Sequence, residues 1–276
     1  MPESDAPPLE SSRKLFSILE HLVQTGGAGI TDIARATSLP KSTVHLHLQS
    51  LLATGHAVKD SDTYRPSLEL FEWGERVRYG IAPYRKGRAE VNSLAEKTNE
   101  LVNLGVIENG KVRLVYLREI SGGGSDSSAP SVSTEFEADT PDRSVLGEDY
   151  KHTPGRTLDI HATAMGKAML AEMPREEVEA VVDAQGLPRH TDRTITSADR
   201  LFEELEEIRS EGYAEDDEER VDGLCCVAAA ICDSDGPAAA VSVSVLSKQW
   251  YGEYSTELAE RVTNTANMIE IKLTHS

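Results

Sequence analysis

At 276 residues and a net charge of −19, the chain is too long for one small domain and strongly acidic. Three cysteines with no secretory leader point to a reduced, cytoplasmic setting, and no apolar run nears the roughly 20 residues that span a bilayer. The acid is unevenly spread: residues 1–80 hold 8 Lys/Arg against 10 Asp/Glu, the remainder 20 against 37, and Lys41 to Lys59 contains no carboxylate. With 10 lysines to 18 arginines and 5% aromatics, such a surface suits a salt-filled cytoplasm. At ~1 M salt the Debye length is about 3 Å, so the acidic bulk would hardly repel DNA, and phosphate contacts would add little affinity.

Residues 1–10 are Pro- and acid-rich, and disorder is expected there. A helix follows, capped by Ser11-Ser12, with a stripe of Leu15, Leu19, Leu22 and Val23 and an end at Gly26-Gly27. Thr31–Leu52 reads as a helix, a break at Ser38-Leu39-Pro40 and a second helix. Val44, Leu48, Leu51 and Leu52 form the apolar stripe of that second helix, which leaves Lys41, Ser42, Thr43, His45 and His47 near its start. Donors at the N-terminal end with hydrophobes behind them suit a helix that enters a DNA groove. Two short extended runs around Asp60-Ser61-Asp62 then make a β-hairpin, a wing on which Lys59 and Arg65 could meet phosphates.

Helices are expected over Ser67–Tyr79, with Leu68, Phe71 and Val77 on one side, and over Tyr84–Asn99. Together they are candidates for a linker and a dimer contact. Leu101–Val106 and Val112–Leu117 flank Asn109-Gly110, a strong hairpin signal. Ser121–His152 is read as a long acidic loop with a short strand around Val132. A strand at Arg156–Ile160 leads into a helix from His161 to Leu170, whose small first residues leave backbone N–H groups open to an anion. Helices near Arg175–Asp183 and Ser197–Glu211, an acidic run at 215–219, strands at Leu224–Cys232 and Ala238–Leu246, and a helix over Thr256–Leu273 complete the chain. The fold class is therefore α+β: a winged helix-turn-helix over 11–67, linker helices over 68–99, and an antiparallel sheet flanked by helices over 100–276.

Several segments together resemble the IclR family of transcriptional regulators. KSTVHLHLQSLLATGHAVKD with TYRPSLELFEWG is similar to the family's recognition helix, wing and linker entry. IHATAMGKAMLA resembles its central signature, and GYAEDDEERVDGLCCVAAAICD with AAAVSVS its C-terminal half. The resemblance implies a GAF-like C-terminal domain that binds a small molecule, a dimer or tetramer, and a double-stranded DNA operator. By position it implies base contacts from Lys41, Ser42, Thr43, His45 and His47. It also implies an effector cleft lined by Leu158, the backbone at Ala164 and Met165, Asp216, Cys226, Ser242 and Ser244. These groups suit a small organic acid: helix-start N–H groups and two hydroxyls for the carboxylate, Asp216 for a ligand hydroxyl. Ala164 stands where a glycine is common in the family. With this composition the resemblance implies a regulator of haloarchaeal type.

Catalysis finds less support. His45 and His47 point about 200° apart on a helix and cannot share an ion, and Cys225, Cys226 and Cys232 lack C-x-x-C spacing. Gly122-Gly123-Gly124 has neither the strand–helix context nor the lysine of a phosphate loop. His161 beside Asp159 has no nucleophile at a recognisable spacing. No metal, cofactor or catalytic residue is expected. The alternative is an enzyme acting on a small organic acid, with the helical N-terminus as a docking module.

Overall fold

The computed structural model describes residues 9–120, 153–250 and 252–275. The expectations for residues 1–8 and for the 121–152 loop lie outside them. The chain divides into two compact units at Gly80/Ile81.

In the first unit, α1 (Glu10–Thr25), α2 (Ile30–Thr37) and α3 (Lys41–Ala53) enclose a core of Ile18, Leu22, Ile33, Val44, Leu48 and Leu51. Ser38 takes a left-handed φ of 56° between α2 and α3 and so makes the tight turn. Strands β1 (Ala57–Asp60) and β2 (Thr63–Pro66) form the wing, with Ser61 at φ 55° in its turn. Ala28 adds an antiparallel bridge to Tyr64. Gly27 permits that approach, since a Cβ there would fall 2.7 Å from Arg65 Cγ and 3.0 Å from Tyr64 O. Tyr64 and Ala57 close the core from the wing side.

Three local expectations change. Helix α1 starts at Glu10 with no side-chain cap, so Ser11-Ser12 are its first turn rather than its cap. Val23 is 57% exposed, because the inward stripe runs through Leu15, Ile18, Leu19 and Leu22, leaving Leu9, Phe16 and Val23 seven residues apart on the outer face. Helix α4 (Glu69–Gly80) buries no residue, and Leu68, Phe71 and Val77 are all exposed.

The second unit is a six-stranded sheet in the order β5-β4-β3-β8-β7-β6, every neighbouring pair antiparallel. Its strands are β3 (Leu101–Glu108), β4 (Lys111–Arg118), β5 (Thr157–Asp159), β6 (Ala214–Asp217), β7 (Leu224–Asp233) and β8 (Gly236–Leu246). Asn109 and Gly110 turn the first hairpin with φ of 53° and 72°. Helices α5 (Ala82–Thr98) and α9 (Glu253–Thr274) cover one face; α6 (Ala164–Ala171) and α8 (Ala198–Glu211) cover the other, with α7 (Arg175–Gln185) alongside. Burial on both faces explains why β7 reads as a continuous apolar run rather than an alternating one. Helix α5 is part of this unit's core through Tyr84, Val91, Leu94 and Ala95, so the linker expected over 68–99 shrinks to α4. The acidic run at 215–219 is not simply a solvated face: its first half is β6, paired with β7.

Candidate functional site

The first turns of α3 set out a polar surface. Lys41, Ser42 and His45 are exposed and Thr43 is half-buried. His47 is not on this surface. At 8% exposure it lies three residues from Val44 and four from Leu51, on the inward stripe, which removes it from the residues able to touch bases. The exposed face instead continues through Leu46, 67% exposed, and Gln49. Both were legible as the complement of the apolar stripe, but the stripe was read as leaving His47 outside it. On the wing, Lys59 pairs with Tyr64 and Val58 with Arg65, so the two cations leave opposite faces of the hairpin. The Lys59 ammonium lies 5.4 Å from the Tyr64 ring centre.

A second polar assembly lies inside the other unit. Thr163 caps α6 by accepting from the Gly166 N–H at 3.1 Å. Gly166 lies so close to the short 3-10 turn Ile160–Ala162 that a Cβ would fall 1.9 Å from Ile160 O. On the sheet face beneath, Asp216 pairs with Cys226 and Cys226 with Ser244, while Ser242 pairs with Asn103. Residues opposite one another in antiparallel strands share a face, so these five make one polar row across β6, β7, β8 and β3. Ser244 Oγ lies 3.2 Å from both Cys226 Sγ and Asn103 Nδ2. Asp216 accepts from the Glu219 N–H at 2.8 Å. Burial, and then the charge of Glu219, push its carboxyl up to about 7, against Lys167 and the N–H groups of Glu219 and Arg220. Burial and then Arg156 lower the Arg220 pKa, while Cys226, Asp216 and Asp159 oppose the fall. The Arg220 guanidinium therefore stands within electrostatic range of the row.

The chain is similar to known proteins over both units. Residues 11–61 match the IclR helix-turn-helix domain, and residues 149–271 match the bacterial transcriptional regulator IclR C-terminal domain. The chain is 31% identical over 243 residues to the HTH-type transcriptional regulator BhcR of Paracoccus denitrificans strain Pd 1222, covering 87% of this chain and 78% of that one. It is 28% identical over 268 residues to the regulator KdgR of Escherichia coli strain K12, covering 96% and 93%. The crystal structure of the Thermotoga maritima IclR superposes with a TM-score of 0.74 at 26% identity, over 96% of this chain and 99% of that one.

The chain belongs to the IclR family of transcriptional regulators. Its first unit carries the DNA-binding helix-turn-helix and its second the effector-binding domain, as in other IclR regulators. The seven residues expected at the IclR effector cleft fall into one neighbourhood. Leu158, Ala164, Met165 and Cys226 share a single apolar cluster, and Asp216, Ser242 and Ser244 lie on the polar row. All seven are buried, none above 8% exposed. An open groove of about 390 Å³ lies elsewhere, between the end of α6, α7 and α8, and none of the seven lines it.

Sequence reasoning missed Asn103, Lys167, Glu219 and Arg220. Asn103 and Lys167 each gave a signal, a lone amide in the apolar strand Leu101–Val106 and a lone cation in the apolar helix Ala164–Ala171; Glu219 and Arg220 gave none, sitting among charges that read as solvated. The other sharp candidates are occupied. His161 Nε2 lies 3.0 Å from Pro188 O, and Asp159 is engaged by Lys111 and His190. Burial pushes the Cys225 thiol up, and likewise Cys232 to about 11, which disfavours thiolate chemistry. Among the described residues no group of three His, Cys, Asp or Glu side chains could hold a metal ion, and no helix is long and apolar enough to cross a membrane.

Proposed function

We propose that this regulator's operator binding is set by a small organic acid held between the first turn of α6 and the polar row of the sheet. The observation that carries this is the row itself. Asp216, Cys226, Ser244, Ser242 and Asn103 are buried in the middle of a sheet whose surroundings are apolar. Carboxyl, thiol, hydroxyl and amide groups gathered on one face of the sheet offer a polar ligand several donors and acceptors in one place. The N–H groups of Ala164 and Met165, at the start of a helix, would take the carboxylate, aided by Ser242 and Ser244. Arg220 brings positive charge to the same region. Asp216 would accept from a ligand hydroxyl, and Leu158 would bound the apolar side.

Lys41, Ser42, Thr43 and His45 would read base edges in the major groove, with Lys59 and Arg65 on phosphates. The active species is a homodimer or homotetramer, since Phe16 and Val23 on α1 and Leu68, Phe71 and Val77 at α4 leave an apolar surface that a second copy would cover. An effector that prefers one arrangement of the paired subunits would change the spacing of their α3 helices. A coupling of ~1–3 kcal/mol suffices for a 5–150-fold change in operator affinity. The chain acts by binding rather than catalysis, in a cytoplasm whose high salt, of haloarchaeal type, accounts for the acidic composition.

The test pairs two variants. Ser42→Ala/Thr43→Ala/His45→Ala should lose operator protection while keeping its oligomeric state. Asp216→Ala/Ser242→Ala should keep operator binding but lose the response to acids found by thermal-shift screening at high salt. An unaltered dose–response in the second would move the effector to the groove beside Phe202, where Arg175 lies 4.1 Å from the ring centre.

A further inference from the structure

Beside the cleft lies a buried ion cluster that the effector reading leaves unused. The Lys167 ammonium is fully buried on α6 and contacts Glu204 of α8 and Glu219 of the turn after β6. Burial opposes its charge, but Glu219 and Glu204 outweigh that and hold its pKa above the ordinary value. Glu219 is 7% exposed, and its carbonyl accepts from the hydroxyls of Thr191 at 3.1 Å and Thr194 at 2.5 Å. Its N–H is the one that donates to Asp216. Glu219 thus holds Asp216 through its backbone and α6 through its side chain. Helix α6 starts at Ala164, so Lys167 sits about one turn from the N–H groups assigned to the ligand carboxylate.

A lysine buried between two glutamates is a poor source of stability. Desolvation rivals the attraction, and apolar replacement of such clusters is often neutral or stabilising. What the cluster supplies is geometry, because α6, α8 and the turn must stay in register for all three charges to remain paired.

We propose that Lys167 and Glu219 are positioning residues of the effector site, fixing the Asp216 carboxyl against the first turn of α6. The inference rests on the effector-cleft reading. The charged and titratable groups facing Asp216 are Glu219 and Arg220 from the turn, Lys167 from α6 and Cys226 from β7. Lys167 and Glu219 act on it with opposite sign: the ammonium favours the ionised carboxylate and the Glu219 charge disfavours it. Deleting each charge should therefore move Asp216 in opposite directions, a signature that loss of packing alone does not produce.

The test follows Asp216 in the full-length protein by carbon NMR of labelled aspartate carboxyls, assigned with Asp216→Asn. Lys167→Met should raise its titration midpoint by roughly half a pH unit or more, and Glu219→Gln should lower it by a similar amount. Lys167→Arg should restore the parent value. Midpoints that stay put, or that move the same way in both variants, overturn the proposal. Should Lys167→Met not fold, Glu219→Gln decides alone, since an unmoved or raised midpoint there has the same force. The underlying reading fails separately, when Asp216→Asn leaves thermal-shift responses to pyruvate, gluconate and benzoate as they are in the parent.

Discussion

The two units present polar side chains in opposite ways. In the first, Lys41, Ser42 and His45 stand in solvent on a helix whose other face is core. In the second, Asp216, Ser242, Ser244 and Asn103 are themselves inside the core. A DNA duplex cannot be engulfed, so its contacts must project. A small acid can be enclosed, and inside a low-dielectric interior each hydrogen bond to it counts for more. In the second unit, loops and helices are cross-tied around these groups by Lys167, Glu219, Thr191 and Thr194.

The largest effect should come from glycines that look alike in sequence. Gly166→Ala places a methyl 1.9 Å from Ile160 O, and the clash should cost upward of ~3 kcal/mol. Gly74 in α4 has nothing within 4 Å of the added Cβ, and Gly74→Ala should stabilise by up to ~1 kcal/mol through helix propensity. Thermal melting with limited proteolysis reads both; a Gly166→Ala protein that melts like its parent would mean the start of α6 is packed differently.

The two histidines of α3 sharpen the contrast at intermediate size. His45→Ala should weaken operator binding by about 1–3 kcal/mol, roughly 5- to 150-fold, with little change in melting temperature. His47→Ala should do the reverse, losing stability with operator affinity nearly intact. Gel-shift titration beside a melting curve separates them, and identical behaviour of the two variants would refute the inward placement of His47.

A pH-dependent effect should come from Asp216. The Asp216 carboxyl is raised from its ordinary value of 3.8 to about 7 in the folded protein. Its contribution to stability is therefore fully present below pH 3.8 and is lost as pH rises through about 7. Asp216→Asn removes that loss, so the variant should gain on the parent by a few degrees of melting temperature between about pH 4 and 7, then hold a constant margin above. A margin that is flat with pH would show that Asp216 stays ionised throughout.

Apolar spacing, with the proline at position 40 and the Asp60-Ser61-Asp62 turn, was enough to outline the three helices of the first unit, the break at Ser38 and the wing, and Asn109-Gly110 announced the first hairpin of the sheet. It also brought out the tip of α3, because a solvent-facing site is simply what the apolar stripe leaves over. It mistook the direction of Val23 and His47, where a shift of one helical position separates core from surface. Only tertiary structure decided which buried polar groups meet. Asn103 meets Ser244 across 141 residues and Lys167 meets Glu219 across 52, through a strand order that places β3 beside β8 and β6 beside β7. Local periodicity states which face of an element turns inward; which polar groups then meet there depends on the register between distant strands.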